Sequence, residues 1–128
     1  MATTTLTKVV NCQYLQSKLK DATLSVKTAY HLAKLFKFIE GEAQFYTGEL
    51  NRIIEKFGAR DPSGNLLPTE DGRGVQIPKD RLKDAEREIN ELMNIEVELP
   101  NITLTLDELD GAGLTVEDVQ NLEPFIVE

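Results

Sequence analysis

Cys12 is the only cysteine and His31 the only histidine, and tryptophan is absent. A single thiol excludes an internal disulfide framework, and one thiol with one imidazole excludes a zinc site built from cysteine and histidine. No run of 18 apolar residues occurs, so no membrane-spanning helix is expected. The first ten residues lack a basic segment ahead of a continuous apolar core, so no secretory signal is expected and synthesis is placed in the cytoplasm. Phosphate-cradling patterns are missing as well. Neither Gly58 nor the segment 72–74 belongs to a Gly-x-Gly-x-x-Gly or Gly-Lys-Ser/Thr motif. A calcium loop starting at Asp61 would place Leu66 where glycine is required and Gly72 where glutamate is required. One centred on Gly111 would begin at Leu106 and fails equally. Glu88 and Glu91 lack the Glu-x-x-His partner of helical di-metal sites.

Positive charge is also missing from one end. After Arg87 no Lys or Arg follows, while eleven carboxylates do. Residues 1–60 carry nine Lys or Arg against five Asp or Glu, and residues 61–128 carry five against seventeen. Balances of +4 and −12 thus share a chain of net charge −8. The ordinary reading is a solvated acidic surface. The sharper reading is a face for a basic partner: the N-terminal half of a second copy, or a nucleic-acid-binding host protein whose DNA site is mimicked. Direct binding of nucleic acid by the acidic half is disfavoured, because phosphate neutralisation needs a cationic footprint.

What the chain has in quantity is helical periodicity. Between Ser25 and Phe57 apolar residues fall at Ala29, Leu32, Phe36, Ile39, Ala43, Tyr46, Leu50, Ile53 and Phe57, in steps of three and four. Such a helix spans about 50 Å at roughly 1.5 Å per residue and needs covering along its length. A second row, Leu35, Phe38 and Phe45, widens the stripe toward more than one neighbour. Gly41 and Gly48, one heptad apart, each cost roughly 1 kcal/mol against alanine, which points to close approach of another backbone. Ser25 is the expected N-cap, and Gly58 is expected in the left-handed position after the helix.

The remaining elements follow from pattern. A first helix is expected over 5–20, with a short strand at Val9-Val10 as the alternative, and a loop over 58–74. A short edge strand is expected over 75–78, a helix over 79–94, and two half-buried strands over 95–106, broken at Pro100-Asn101. A capped helix is expected over 115–123, from Thr115 and Asp118. The expected fold is mainly α with minor β, in one domain over 1–128. Its long central helix is packed by two shorter helices in an antiparallel arrangement, with a small β element and a short C-terminal helix. The strands of 95–106 are expected to pair with Val75–Ile77 or with a second subunit.

The segments SVKTAYHLAK (25–34), IEKFG (54–58), ELMNIEVEL (91–99) and LTVEDVQNLEPFI (114–126) together resemble short uncharacterised proteins encoded in tailed-phage and prophage genomes. The likeness covers most of the chain. Its motifs are structural, with no catalytic residue among them. The resemblance implies a viral protein without established chemistry and with no site residues to carry over. The expected place is the host cytoplasm or the virion, and no cofactor or metal is expected.

The expected function is non-enzymatic. It is protein–protein contact by a self-assembling virion or assembly accessory component, with a homo-oligomer, a phage structural protein or a basic host protein as partner and no membrane or direct nucleic-acid partner. The alternative is an inhibitor of a host defence or nucleic-acid-binding protein that uses the acidic C-terminal surface. The candidate contact residues are Phe36, Ile39, Gly41, Tyr46 and Gly48 on the long helix and Glu88, Glu91, Glu96 and Glu98 on the acidic segment. Phe125 and Ile126 complete the set, as an apolar terminus that docks within or between chains.

Overall fold

The computed structural model describes residues 3–102 and 104–126. The chain is mainly helical: β1 (Thr3–Thr5), α1 (Leu6–Val10), α2 (Leu15–Leu19), α3 (Val26–Phe57), α4 (Lys79–Met93), β2 (Glu96–Glu98), α5 (Leu106–Leu109), α6 (Val116–Leu122) and a 3-10 turn at Glu123–Phe125. The long central helix packs against α1 in the first part of its length and against α4 in the last. The chain divides into two compact units, one of Met1–Gln44 with Ile95–Glu128 and the other of Phe45–Asn94, so the division falls inside α3.

In the first unit the seam residues Leu32, Phe36, Ile39 and Ala43 are buried, as is Leu35 from the second row. They share a core with Leu6, Val9, Leu15, Val97, Leu104 and Leu122. Three- and four-residue steps put these α3 side chains on one face, and burying each fully is worth about 1.5–3 kcal/mol for the larger ones. Phe38 is half-buried and meets the ring of Phe125 edge-on, with centroids 6.4 Å apart. Phe45 lies outside this pattern and is exposed.

The helix expected over 5–20 is broken into α1 and α2 by a turn at 11–14. There the backbone tightens to three-residue bonds, Cys12 N–H to Val9 O at 3.1 Å and Gln13 N–H to Val10 O at 3.0 Å. Val9, Val10, Asn11 and Cys12 are all poor helix formers, and the turn swings Cys12 fully into the core.

The strand pairing also differs from expectation. β2 pairs antiparallel with β1, Thr4 opposite Val97, and not with Val75–Ile77. Three β-branched threonines suit the pleated edge, and Val97 points inward between exposed Glu96 and Glu98. The second strand of 95–106 is reduced to one parallel bridge between Leu104 and Ile126, and Leu106 opens α5. Thr103, part of that expected strand, lies outside the described residues.

In the second unit Ile53 and Phe57 of α3 are buried with Ala85 and Leu92 of α4. The connection 58–78 is not a plain loop. Leu67 N–H donates to Ala59 O, Gln76 N–H to Leu67 O and Ala59 N–H to Gln76 O, each at 2.8 Å, closing a ring of three backbone segments. Val75 bridges Pro68 within it. Gly58 is not left-handed; the positive-φ glycines are Gly64, Gly72, Gly111 and Gly113. Glycine is needed at 58 because a Cβ there would sit 2.6 Å from Ile54 O, 2.8 Å from Leu66 and 2.9 Å from Val75.

Candidate interaction site

The polar chemistry of the first unit is concentrated at two helix caps. α6 opens with a capping box: Asp118 N–H donates to Thr115 Oγ1 at 3.2 Å, and Thr115 N–H donates to Asp118 Oδ2 at 2.9 Å. Asp118 is 3 % exposed and reaches beyond its own helix. Tyr14 OH donates to its Oδ1 at 2.6 Å, and the Lys18 ammonium donates to Oδ2. Tyr14 and Lys18 stand one turn apart, so α2 and the turn before it present both donors to one carboxylate. The Lys18 ammonium, then the Thr115 N–H and the Tyr14 hydroxyl, hold Asp118 far below the usual aspartate range. The same bond pushes the Tyr14 hydroxyl up, because losing its proton would leave two anions in contact.

α5 repeats the arrangement. Thr105 and Glu108 form its capping box, and Glu108 Oε2 also lies 3.0 Å from His31 Nδ1 and 3.3 Å from Thr28 Oγ1. Burial pushes the Glu108 carboxyl up, but bonds from His31, the Thr105 N–H and Thr28 outweigh it and hold the group below the usual glutamate range. Ser25 caps α3 as expected, accepting from Thr28 N–H at 3.2 Å, and its hydroxyl donates to Thr28 Oγ1 at 2.9 Å. The caps of α3 and α5 are therefore joined through Thr28.

Beside the Asp118 network lies a cleft of about 550 Å³, walled by Thr3, Thr4 and Leu99, by Lys8 and Asn11 from α1 and its end, and by Gln120, Asn121, Glu123 and Pro124. Asn121 Nδ2 donates to Tyr14 OH at 2.9 Å, which links the cleft wall to the buried carboxylate. Cys12 Sγ donates to Asn121 O at 2.9 Å, and burial pushes this thiol up to about 11. A more apolar groove of about 490 Å³, lined by Leu19, Lys20, Leu24, Leu32 and Phe36 among others, runs between α2 and α3.

No family model, no curated protein and no solved structure matches the chain. The site therefore rests on geometry. Among the described residues no group of three or more His, Cys, Asp or Glu is placed to hold a metal ion. No described helix is long and apolar enough to cross a membrane.

The candidate contact residues are not gathered into one patch. Phe36, Ile39 and Phe125 belong to the core of the first unit. Ile126 is half-buried on its bridge to Leu104, and Tyr46 is half-buried. Gly41 and Gly48 are exposed, and a Cβ at either would meet nothing within 4 Å, so close backbone approach within the chain does not explain them. Glu88 is tied to Lys56 at 3.0 Å, while Glu91, Glu96 and Glu98 are exposed. Sequence reasoning missed Glu108, whose Thr-x-x-Glu spacing is a readable capping signal. It also missed the tie from Tyr14 and Lys18 to Asp118, for which no local pattern exists.

Proposed function

We propose that this chain is a non-enzymatic phage protein acting by protein–protein contact, as a self-assembling virion or assembly accessory component. One observation carries the self-association: among the described residues, exposed charges of both signs are left without ion-pair partners. Lys20, Lys27, Lys34 and Lys37 on α2 and α3 have no carboxylate within 4.0 Å among the described residues. Glu91, Glu98, Asp107, Asp110 and Glu117 likewise have no cation there. Charges of opposite sign held on ordered elements steer copies together and fix their register more than they add affinity. His31 and Asp118 support a non-enzymatic reading, since the side chains of both are engaged in bonds that hold helix caps. The phage assignment rests on the resemblance of the helix-start, helix-stop and cap segments alone.

Light scattering on a size-exclusion column tests it. A defined oligomer at micromolar concentration, shifting toward the 14.4 kDa monomer as salt rises, is the expected result. A monomer at both low and high salt overturns it. The same carboxylates favour a second reading, inhibition of a basic host protein. That reading requires a monomer whose binding to such a protein weakens when several of these carboxylates are neutralised.

A further inference from the structure

We propose that the cleft between β1, α1 and α6 binds an extended peptide segment of a partner protein, one that carries a single carboxylate. The argument starts at Asp118. Three donors, the Lys18 ammonium, the Tyr14 hydroxyl and the Thr115 N–H, converge on its two oxygens, so the carboxylate is ionised and only accepts. The Tyr14 proton is therefore committed to Asp118, and the phenol oxygen can only accept from Asn121. Asn121 must then present Nδ2 to Tyr14, which it does at 2.9 Å. Its Oδ1, on a residue that lines the cleft, is left as an acceptor and receives no hydrogen bond among the described residues. A buried charge two hydrogen bonds away thus sets the polarity of one side chain in the cleft.

The other walls complete the recognition. The amides of Asn11 and Gln120 each bring a donor and an acceptor to the lining, the two kinds of partner that a peptide N–H and C=O need. Leu99 and Pro124 give apolar contact. Lys8 is exposed and has no carboxylate within 4.0 Å among the described residues, so it is the cation for an acidic group. Glu123 on the same cleft repels further negative charge, which excludes polyanions. Among the described residues no aromatic side chain lines the cleft, and a sugar or base would lack a stacking surface. A cleft of about 550 Å³ is in the range of ligand sites. This peptide site goes beyond the self-association reading, and the two fail separately.

The test is an NMR titration of the full chain with acetyl-Ala-Gly-Ala-Gly, as the free acid and as the C-terminal amide. Saturating amide shifts at Thr3, Thr4, Lys8, Asn11, Gln120 and Asn121 are expected with the acid. Binding is expected to be roughly three- to tenfold weaker for the amide and for Lys8→Ala, an exposed position. Tyr14→Phe keeps the ring but releases Asn121, and is expected to weaken binding by a similar factor, with its other shifts confined to the surroundings of Asp118. Shifts that fail to saturate at the cleft overturn the proposal. So does equal affinity for acid and amide in the parent and the Lys8→Ala protein, or cleft binding of N-acetylglucosamine in place of the peptide.

Discussion

His31 Nδ1 lies 3.0 Å from Glu108 Oε2, so the carboxylate that caps α5 also ties that four-residue helix to the first turns of α3. An ionised carboxylate has no proton to give, so His31 donates from Nδ1 and its tautomer is set. Asp118 does the same for α6 through Lys18 and Tyr14. Helices this short cannot hold themselves in water. Each is held by apolar residues beneath it and by one carboxylate serving two helices at once.

Acidification is expected to loosen both ties. The folded-state values of Glu108 and Asp118 are depressed, so the folded protein binds fewer protons than the unfolded chain at these groups. Their contribution is complete above the ordinary carboxylate values and is lost as pH falls through the lower folded values. Urea midpoints measured between about pH 6 and pH 3 should fall with pH, and in Glu108→Gln the fall should be shallower. An unchanged slope in that variant removes Glu108 from the account.

The Lys18 and Asp118 pair is expected to be non-additive. Lys18→Met leaves a buried carboxylate with fewer donors, and Asp118→Asn leaves Tyr14 and Lys18 facing a weaker acceptor. Each single change should lower the denaturation midpoint. The double variant should cost less than the two losses together, because the second change removes a group the first had already left short of partners. Strict additivity would show that the contact is incidental. Thr115→Ala, which removes the cap oxygen together with the γ-methyl, should cost about 1 kcal/mol.

The long helix was legible because its apolar spacing is unbroken over 32 residues and its start carries Ser25. The α6 cap was legible for a similar reason: Thr115 and Asp118 sit three apart, and the bonds that define the box are local. The break at 11–14 was not, since Leu6, Val9, Leu15 and Leu19 keep helix-like spacing on both sides and only the packing of Cys12 decides the turn. The pairing of Thr3–Thr5 with Glu96–Glu98 joins distant segments, and alternation in one strand does not name its partner. The cleft was illegible for the same reason. Lys8 and Asn121 become neighbours only through the docking of α6, and the orientation of Asn121 depends on which atom of Tyr14 holds a proton.

Cys12 is expected to be inert in the native protein. It is fully buried, its Sγ–H donates to Asn121 O, and burial raises it to about 11. At pH 8 the thiolate population of such a group is roughly a hundredfold below that of an ordinary cysteine, before access is considered. Labelling with a disulfide reagent should therefore be at least that much slower than for a free thiol, and should become immediate in denaturant. Fast native labelling would mean that the turn at 11–14 opens readily.

Three glycines of the second unit and its approach should respond in opposite directions to the same substitution. At Gly58 an added methyl meets the Ile54 carbonyl oxygen at 2.6 Å, and backbone cannot rotate away as a side-chain end can. Gly58→Ala should cost about 1–3 kcal/mol, the range for forced overpacking. The loss should be localised, with hydrogen-exchange protection falling first at the amides of Ala59, Leu67 and Gln76 that close the backbone ring. At Gly41 and Gly48 the added methyl meets nothing within 4 Å and the backbone is helical. There the substitution removes freedom from the unfolded chain alone and should stabilise by about 0.4–1 kcal/mol at each site. If Gly41→Ala or Gly48→Ala instead destabilises, and does so only at concentrations where the protein is oligomeric, the missing neighbour belongs to a second chain. The concentration dependence of the thermal midpoint, measured for all three variants, separates these cases.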